Sequence, residues 1–380
     1  MKRSIRVLQI VSGDLWAGAE AQAFALMTHL AKLPDTAVRA AVLNDGKLAS
    51  ELQNAGLDVD ILDERRIGSV GILLRLRRIL KEYEPDVIHT HRLKENVLGS
   101  LANRMWRNVA AVRTVHGSDE HAGAKGFHGM RRQAMNRVDR WCGRVLQRKI
   151  IAVSNELGWE LSRTFSPSQV VVIENGIDVD RVLAARGVAS FKANEQTSIH
   201  IGLVGRLVPV KRVDIFIEMA SLLKKGCDGR KFRFHVFGDG PLRGLLEEHA
   251  RAIGVSDAIT FHGHRDDIAT CIGGLDALVN CSDHEGMPMT ALEALALNVP
   301  IVAHSVGGLR SVVPEQNQVV QHDPSGYRDV ILKVVANSAA LTHEALAKLE
   351  RFSAGRNANR IRALYENVIH DRALTRTELR

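Results

Sequence analysis

The feature that most constrains this chain is an alternation of short apolar, β-branched runs with longer segments of helical periodicity, and this alternation occurs twice. In the first half the runs begin with IRVLQIV at residues 5–11 and end with QVVVIEN at 169–175. The pattern stops in the polar stretch RGVASFKANEQTS at 186–198 and restarts with IHIGLVG at 199–205. Apolar strands that alternate with helices predict βαβ units with a parallel sheet covered on both faces. The sequence therefore predicts an α/β protein with two doubly wound, Rossmann-like domains.

The length of 380 residues fits two domains, because single cores rarely grow beyond about 250–300 residues. We place the first domain at residues 1–185 and the second at 195–355. A helix at 356–380 is expected to pack back toward the first domain. Open α/β sheets bind ligands at the carboxyl ends of their strands. The residues that follow the strands are therefore candidate ligand contacts, and we expect the two domains to face each other across a central cleft.

Three features of the sequence favour a cytoplasmic protein without a membrane span. No run of about 18 apolar residues occurs, so no transmembrane helix is expected. The basic, apolar start MKRSIRVLQIVSGD is interrupted by Arg6 and Gln9, and it is interpreted as a first buried strand rather than a signal peptide. The four cysteines form no C-x-x-C pair: Cys142, Cys227, Cys271 and Cys281. Their spacing is typical of free thiols in a reducing compartment rather than of disulfides or a zinc site.

Positive charge is concentrated in one part of the chain. The formal net charge is +8, yet residues 61–150 alone contain 19 Lys and Arg against 9 Asp and Glu. Such a segment is either a solvated basic face or a surface for an anionic partner. Acidic membrane lipid, a lipid-linked diphosphate and nucleic acid all fit this description.

Two segments of the second half carry residues suited to phosphate groups. In GLVGRLVPVKR a strand ends at Gly205, and the cations of Arg206 and Lys211 lie beside the start of a helix. Two cations at a helix N-terminus suit a diphosphate, although ordinary surface cations would give the same pattern. In FGDGPLRG, Gly238 indicates either a tight turn or a close approach of the backbone to a ligand.

Two acids separated by seven residues stand out in DHEGMPMTALEALALNVPIV. Pro288 favours the first turn of a helix. Glu285 then lies in the preceding loop, and Glu293 lies in the second helical turn. The backbone N–H groups of Met289 and Thr290 are among the unpaired donors at the helix start, where a phosphate group would fit. The alternative interpretation is that Glu285 caps the helix and Glu293 is exposed.

These motifs, taken in order, resemble those of a known enzyme family. The combination of GRLVPVKRVD, FGDGPLR, FHGHRDD and SDHEGMPMTALEALALNVPIVAHSVGG, with WAGAEAQAFALMTHLA, TVHG and VIENGIDVDRV in the first half, is similar to the retaining glycosyltransferases of family four. The resemblance covers about residues 5–370, and the C-terminal motifs are specific only in combination. It implies the two-lobed GT-B fold and transfer of a sugar from a UDP- or GDP-sugar to an acceptor hydroxyl, without a metal or other cofactor.

The resemblance also implies a role for each matching residue. Catalytic roles fall to Glu285 at the donor sugar, to Arg206 and Lys211 at the diphosphate, and to His116 at the transferred sugar. The remaining matches are expected to bind substrate: Glu293 at the ribose, the N–H groups of Met289 and Thr290 at phosphate, His91 on the acceptor side, and Gly18, Gly238 and His264 in their loops. Ala17 departs from the family, which commonly has two consecutive glycines where this chain has Ala17-Gly18.

The acceptor is expected to be a saccharide or a lipid-linked sugar of surface polysaccharide, lipopolysaccharide or glycolipid synthesis. The stretch 129–149 places many cations with Met130, Met135 and Trp141 on one predicted helix. This composition predicts peripheral, salt-sensitive contact with an anionic membrane, at the inner face of the membrane. Two alternatives stay open: another GT-B enzyme, such as a nucleotide-sugar epimerase, and a nucleic-acid-binding protein, for which no helix-turn-helix, zinc-finger or RNA-binding signature is present.

Two D-x-D triplets could suggest a metal site in a different glycosyltransferase architecture. The first, Asp58-Val59-Asp60, begins a predicted strand, and the second, Asp178-Val179-Asp180, lies between the domains. Both are interpreted as structural, because Arg206 and Lys211 already supply the positive charge that a metal would provide.

Overall fold

The computed structural model describes residues 4–13, 16–117, 127–194, 197–226, 229–337 and 343–378. The chain forms two compact units, one of Met1–Ile177 with Phe352–Arg380 and one of Asp178–Arg351. Each unit contains a parallel sheet flanked by helices. The predicted α/β class is therefore confirmed for both units.

The first unit contains a seven-stranded sheet in which every pair of neighbours is parallel. Its strands are β1 Ile5–Val11, β2 Thr36–Val42, β3 Asp58–Ile61, β4 Val87–Thr90, β5 Ala110–Val115, β6 Lys149–Ala152 and β7 Val170–Val172. Their order is β3-β2-β1-β4-β5-β6-β7. The winding direction reverses between β1 and β4, which makes the ends of these two strands the expected ligand position.

Ahead of the second unit in the chain, the described residues of the first unit form six helices. They are α1 Gly18–Ala31, α2 Lys47–Asn54, α3 Glu64–Tyr83, α4 Leu93–Arg104, α5 Phe127–Val145 and α6 Asn155–Ser162. Local caps set some of their starts. The carboxylate of Asp63 accepts a hydrogen bond from the Arg65 N–H at 3.0 Å to begin α3, and the hydroxyl of Ser154 accepts one from the Leu157 N–H at 3.2 Å to begin α6.

The second unit repeats this architecture with a six-stranded parallel sheet. Its strands are β8 Ile199–Val204, β9 Phe232–Phe237, β10 Ile259–Gly263, β11 Ala277–Asn280, β12 Ile301–His304 and β13 Gln318–Val319. Their order is β10-β9-β8-β11-β12-β13, so the winding reverses between β8 and β11. The loops after β8 and β11 therefore meet at the switch point of this sheet.

The helices of the second unit pack against its sheet, and one core cluster includes the buried Phe216 of a helix and Phe234 of β9. They are α7 Val179–Ala184, α8 Ser190–Asn194, α9 Val213–Lys225, α10 Arg243–Ala252, α11 Ile268–Gly273, α12 Met289–Ala296, α13 Leu309–Val312, α14 Pro324–Ala336 and α15 His343–Arg351, with 3-10 turns at Pro209–Lys211 and Glu315–Asn317.

The last helix, α16 Ala354–Glu378, belongs to the first unit. Its side chains Ala358, Ile361 and Tyr365 are buried in one apolar cluster with Val7 of β1 and Leu26 of α1. A segment from the end of the chain therefore completes the core beneath the first strand. Within the described ranges, no helix combines the length and the apolar character that crossing a bilayer requires.

Candidate functional site

The switch point of the second unit brings Lys211 and Glu285 together. The Lys211 Nζ lies 2.7 Å from the Glu285 Oε1, and only 9% of the Glu285 side chain is exposed. The Asn280 Nδ2 at 2.9 Å and the Ser282 Oγ at 2.8 Å donate to the same oxygen. Glu285 is therefore held by three donors, one from the loop after β8 and two from the end of β11.

These contacts decide the charge of Glu285. Burial acts to raise the pKa of Glu285, but the charge of Lys211 and the hydrogen bonds from Asn280, Lys211 and Ser282 outweigh it and hold the pKa below its ordinary value. Glu285 is accordingly a carboxylate near neutral pH. A charged pair at the edge of a sheet can orient hydroxyl groups and stabilise negative charge on a ligand.

Arg212 connects the two loops that carry this pair, although no local pattern of residues points to it. Its backbone lies in the left-handed region with φ 47°, between the 3-10 turn and α9. Its guanidinium donates to Asp214 at 2.9 Å and to Asp283 at 3.3 Å, and the Asp283 N–H donates to the Val210 carbonyl at 2.9 Å. Lys211 and Glu285 are thus positioned by a second set of polar contacts behind them.

A pair of glycines after β12 supports Glu285 from the other side, and its role was also missed from the sequence. Gly307 has φ 52°, and a Cβ atom at this position would lie 1.8 Å from the Glu285 carbonyl oxygen. The next N–H, of Gly308, donates to the Gly286 carbonyl at 2.6 Å. The adjacent glycines after a strand were the available signal, because only residues without a Cβ allow two backbones to approach so closely.

Gly238 allows a similar approach between the loops after β8 and β9. It has φ 131°, and a Cβ atom there would lie 1.9 Å from the Gly205 carbonyl oxygen. Its N–H donates to the Gly263 carbonyl at 2.7 Å. This packing explains the glycine, and its predicted substrate contact stays a prediction. The same holds for Arg206, half-buried in the loop after β8, and for His264, which is exposed and 3.9 Å from Asp266.

Helix α12 begins where the Pro-Met-Thr stretch predicts a helix start. Pro288 occupies the N-cap position and offers no side-chain cap, and Met289 and Thr290 are the first helical residues. The helix ends with Asn298 at φ 57° and the Val299 N–H bonded to the Ala294 carbonyl at 2.8 Å, which is a Schellman ending. The contacts of Met289 and Thr290 with phosphate stay predictions.

Glu293 lies in the second turn of α12, and it is half-buried rather than exposed. Its Oε2 atom is buried and has no hydrogen-bond partner among the described residues. Burial raises the pKa of Glu293 to about 7, against an opposing effect of Arg181. A carboxyl group with an unsatisfied buried oxygen is suited to a ligand that supplies hydroxyl donors.

The raised pKa of Glu293 predicts a pH-dependent destabilisation. The folded protein binds the proton more tightly than the unfolded chain, so stability falls as pH rises from about 4.5 to about 7. Glu293→Gln should remove this slope. The free energy of unfolding of the variant minus that of the wild type should therefore be about 3 kcal/mol larger at pH 8 than at pH 4.5. Chemical denaturation across this pH range measures the effect. Glu248→Gln, on the exposed side of α10, controls for the loss of one charge, and equal slopes for all three proteins would contradict the prediction.

In the first unit, the parallel pairing of β4 with β5 brings His91 and His116, which directly follow these strands, close together. The His91 Nδ1 lies 3.1 Å from the His116 Nε2, and the rings stack with 5.4 Å between their centroids. Burial lowers the pKa of His91 to about 3 and lowers the pKa of His116 well below its ordinary value. Both rings are therefore neutral at neutral pH, which suits hydrogen bonds to hydroxyl groups better than ion pairing with phosphate.

Gly18 is the first residue of α1, and Ala17 is its N-cap. The cap has no side-chain acceptor, but the Glu20 Oε2 accepts from the Ala17 N–H at 3.2 Å. Glu20 is fully buried, and its Oε1 lies 2.5 Å from the Arg92 guanidinium, which stands at the start of α4. The loop that carries Gly18 is thus anchored by an ion pair, and its predicted ligand contact stays a prediction.

One acid of each D-x-D triplet and three of the cysteines have structural surroundings. Asp60 accepts two hydrogen bonds from Arg39, and the Asp178 carboxylate caps α7 by accepting from the Arg181 N–H at 3.0 Å. The described residues contain no group of three or more His, Cys, Asp and Glu side chains that could hold a metal ion. Buried free thiols are found, as predicted, at Cys142, Cys271 and Cys281, and Cys227 lies outside the described residues.

Two family models match the chain. The one described as Glycosyltransferase Family 4 matches residues 16–181, and the one described as Glycosyl transferases group 1 matches residues 198–337. Between them the two matches reach both compact units and account for most of the chain.

Curated relatives are similar at low identity. The UDP-Gal:alpha-D-GlcNAc-diphosphoundecaprenol alpha-1,3-galactosyltransferase of Escherichia coli is 26% identical over 254 residues, which are 64% of this chain and 64% of the relative. The D-inositol 3-phosphate glycosyltransferase of Geodermatophilus obscurus is 26% identical over 318 residues, which are 77% of this chain and 69% of the relative. The chain thus spans slightly less than two thirds of the length of the galactosyltransferase.

Solved structures are similar over nearly the whole chain. The structure of HepE from Anabaena in complex with UDP and glucose matches with a TM-score of 0.80 at 17% identity, covering 96% of this chain and 100% of that chain. At this identity the likeness shows the fold, which is the two-domain α/β fold of GT-B proteins.

Proposed function

Because the chain belongs to the family-four glycosyltransferases of the GT-B fold, we propose that it transfers a sugar from a nucleoside diphosphate-sugar to an acceptor hydroxyl with retention of configuration. The observation that carries this proposal is the ion pair of Lys211 and Glu285 at the β8–β11 switch point, 2.7 Å between Nζ and Oε1. The pair places a cation for a diphosphate beside a carboxylate for sugar hydroxyls.

In the proposed reaction, the bond between the sugar and the diphosphate breaks, and negative charge grows on the departing phosphate oxygen. Lys211 and Arg206 stabilise this charge, together with the N–H groups of Met289 and Thr290 at the start of α12. The same cations make a divalent metal unnecessary. The departing phosphate oxygen takes the proton of the acceptor hydroxyl, which attacks the same face of the sugar.

Glu285 positions the sugar rather than attacking it. Its Oε1 is engaged by three donors, and its lowered pKa makes it a weak base. Its other oxygen, Oε2, receives none of these three hydrogen bonds and is the atom proposed to accept from a sugar hydroxyl. Glu293, with its unsatisfied Oε2, is proposed to accept from the ribose hydroxyls of the donor. The carboxylates thus bind the two sugar rings, and the diphosphate lies between them.

Uridine diphosphate is proposed as the leaving nucleotide, since the solved HepE complexes contain UDP and the galactosyltransferase of Escherichia coli is named for a UDP-sugar. The acceptor is proposed to be a sugar on a lipid diphosphate, because the same relative acts on a diphosphoundecaprenol. Such an acceptor resides in a membrane, so the proposed place of action is the inner face of the membrane.

The test of this function is acceptor-dependent release of UDP. Purified protein is supplied with a UDP-sugar and a lipid-linked sugar, and released UDP and the extended lipid are measured together. Binding of UDP at about 100 times its Kd should also stabilise the fold by about 2.7 kcal/mol. Conversion of the UDP-sugar to an isomer in the absence of an acceptor would instead indicate an epimerase. A protein that binds an oligonucleotide but does not bind UDP would be a nucleic-acid-binding protein.

Helix α5 supplies the proposed membrane contact. Its outward side chains combine cations with apolar groups: Arg137, Arg140 and Arg144 are exposed, as are Met135, Val138 and Trp141. On the inward side, Asp139 accepts from Arg113 of β5 at 2.8 Å and fixes the helix to the sheet. Mixed basic and apolar faces of this kind bind the interface of anionic bilayers. Met130, part of the same predicted face, lies outside the residues whose side chains the structure describes.

Removing two of these cations is expected to weaken membrane binding. Each basic residue near an anionic surface contributes about 1 kcal/mol, so Arg137→Gln with Arg140→Gln should weaken liposome binding about 30-fold at low salt. Co-sedimentation with phosphatidylglycerol vesicles measures this change. Lys224→Gln with Lys225→Gln on α9 makes the same change in net charge and is the control. Equal losses for both double variants, or no binding by the wild type, would contradict the proposal.

A further inference from the structure

Behind His116 lies a chain of buried polar side chains that the proposed reaction does not use. The His91 Nε2 lies 2.9 Å from the Gln9 Oε1, and the Gln9 Nε2 donates to the Tyr365 hydroxyl at 3.0 Å. That hydroxyl lies 2.6 Å from the Nδ1 of His89, a second fully buried histidine of β4. Strands β1 and β4 and helix α16 therefore contribute to one continuous hydrogen-bonded chain that ends at His116.

The far end of this chain is closed within the core. The His89 Nε2 lies 2.8 Å from the Thr114 hydroxyl of β5, and the rings of His89 and His91 stack with centroids 4.6 Å apart. All five side chains behind His116 are nearly or fully buried: Gln9, His89, His91, Thr114 and Tyr365. Burial lowers the pKa of His89, His91 and His116, so each ring is neutral and has one donor and one acceptor nitrogen.

This condition fixes where the protons lie. Gln9 donates through its nitrogen to Tyr365, so its oxygen accepts from the His91 Nε2–H. The His91 Nδ1 is then an acceptor, and the His116 Nε2 must carry the proton that bridges the 3.1 Å between the two rings. The remaining nitrogen of His116, Nδ1, is left with a lone pair. This atom is buried and has no hydrogen-bond partner among the described residues.

We propose that Gln9, His91 and Tyr365 are positioning residues that hold His116 in its Nε2–H tautomer, so that its Nδ1 accepts a hydrogen bond from a hydroxyl group of a sugar substrate. This inference rests on the proposed function for the identity of the ligand. The unpartnered, buried Nδ1 is the position that a ligand donor would satisfy. The positioning residues act through His116 and do not touch the sugar.

The first test concerns the free protein and needs no activity. In protein labelled with 15N-histidine, and with the His116 signals assigned through a His116→Asn variant, the nitrogen chemical shifts report which ring nitrogen carries the proton. The wild type should show an unprotonated Nδ1 at His116. Gln9→Leu and Tyr365→Phe should each convert this signal toward a mixture of tautomers. A wild-type His116 with its proton on Nδ1 would overturn the proposal, whether or not the protein transfers sugar.

The second test uses turnover and a matched control. Tyr365→Phe should lower kcat/KM for the UDP-sugar about tenfold, as expected for loss of a correctly aligned hydrogen bond, while the Kd for UDP, which lacks the sugar, stays unchanged. Tyr83→Phe removes a hydroxyl that donates to the Ala37 carbonyl at 2.9 Å elsewhere in the same unit, and it should leave kcat/KM unchanged. Equal effects of the two substitutions, or a weakened Kd for UDP in Tyr365→Phe, would overturn the proposal.

Discussion

Replacement of Lys211 by Ala is expected to lower kcat by roughly 10²–10³, because the variant loses a preorganised cation at the departing diphosphate. The Lys211 Nζ lies 2.7 Å from the Glu285 Oε1, so this carboxylate holds the cation in a fixed position. The measurement is the initial rate of UDP release at saturating UDP-sugar and acceptor. Turnover close to that of the wild type would contradict the role assigned to Lys211.

The same substitution also leaves the Glu285 carboxylate without its cation, and this effect has to be separated from the loss of catalysis. Breaking a buried pair costs about 3–5 kcal/mol, and the lower value is expected here because a fifth of the Lys211 side chain is exposed. Addition of Glu285→Gln removes the unpaired charge. The double variant should therefore regain stability without regaining turnover. Recovery of turnover would mean that Lys211 acts only by neutralising Glu285.

Replacement of Gly307 by Ala is expected to lower the free energy of unfolding by about 3 kcal/mol or more. The backbone at φ 52° strains any residue with a Cβ, and the added methyl group would lie 1.8 Å from the Glu285 carbonyl oxygen. The loop that carries Glu285 must then move away from Lys211, so kcat should fall together with stability. Chemical denaturation and initial rates measure the two effects.

Gly254→Ala is the matched control for this prediction. Gly254 has φ 74° in the same unit, but a Cβ atom there meets nothing within 4 Å. Its substitution therefore isolates the backbone strain, which is about 1–2 kcal/mol, from the collision with Glu285. A loss of stability at Gly307 no larger than the loss at Gly254, with normal kcat, would show that the contact between the two loops is unimportant.

The strands of both sheets could be predicted because the central parallel strands are buried on both faces and appear in the sequence as continuous apolar runs. The switch points could not be predicted in the same way. Lys211 and Glu285 are 74 positions apart, and their contact depends on β8 and β11 becoming neighbours. The apolar runs of β8 and β11 do not indicate which strands they pair with. Lys211 and Glu285 could therefore be proposed as site residues from the sequence, but their ion pair could not be predicted.

Residues that act from behind the site were harder to find. Gln9 lies inside an apolar run, and its partner Tyr365 is 356 positions away in a helix at the other end of the chain. The apolar pattern that predicts a strand treats Gln9 as an interruption, and nothing local indicates that its amide is satisfied by α16. For the same reason Arg212 was overlooked, since its role depends on the approach of Asp283 from another loop.

Because α16 belongs to the first unit, the two units differ in how the gene encodes them. The second unit is one uninterrupted segment, Asp178–Arg351, whereas the first needs both Met1–Ile177 and Phe352–Arg380. Tyr365, which completes the core beneath β1, is encoded after the entire second unit. Recombination at both Ile177 and Arg351 would therefore exchange the second unit, which carries Lys211 and Glu285, as one intact segment. A single crossover at Ile177 would instead separate Met1–Ile177 from the α16 segment that completes its core.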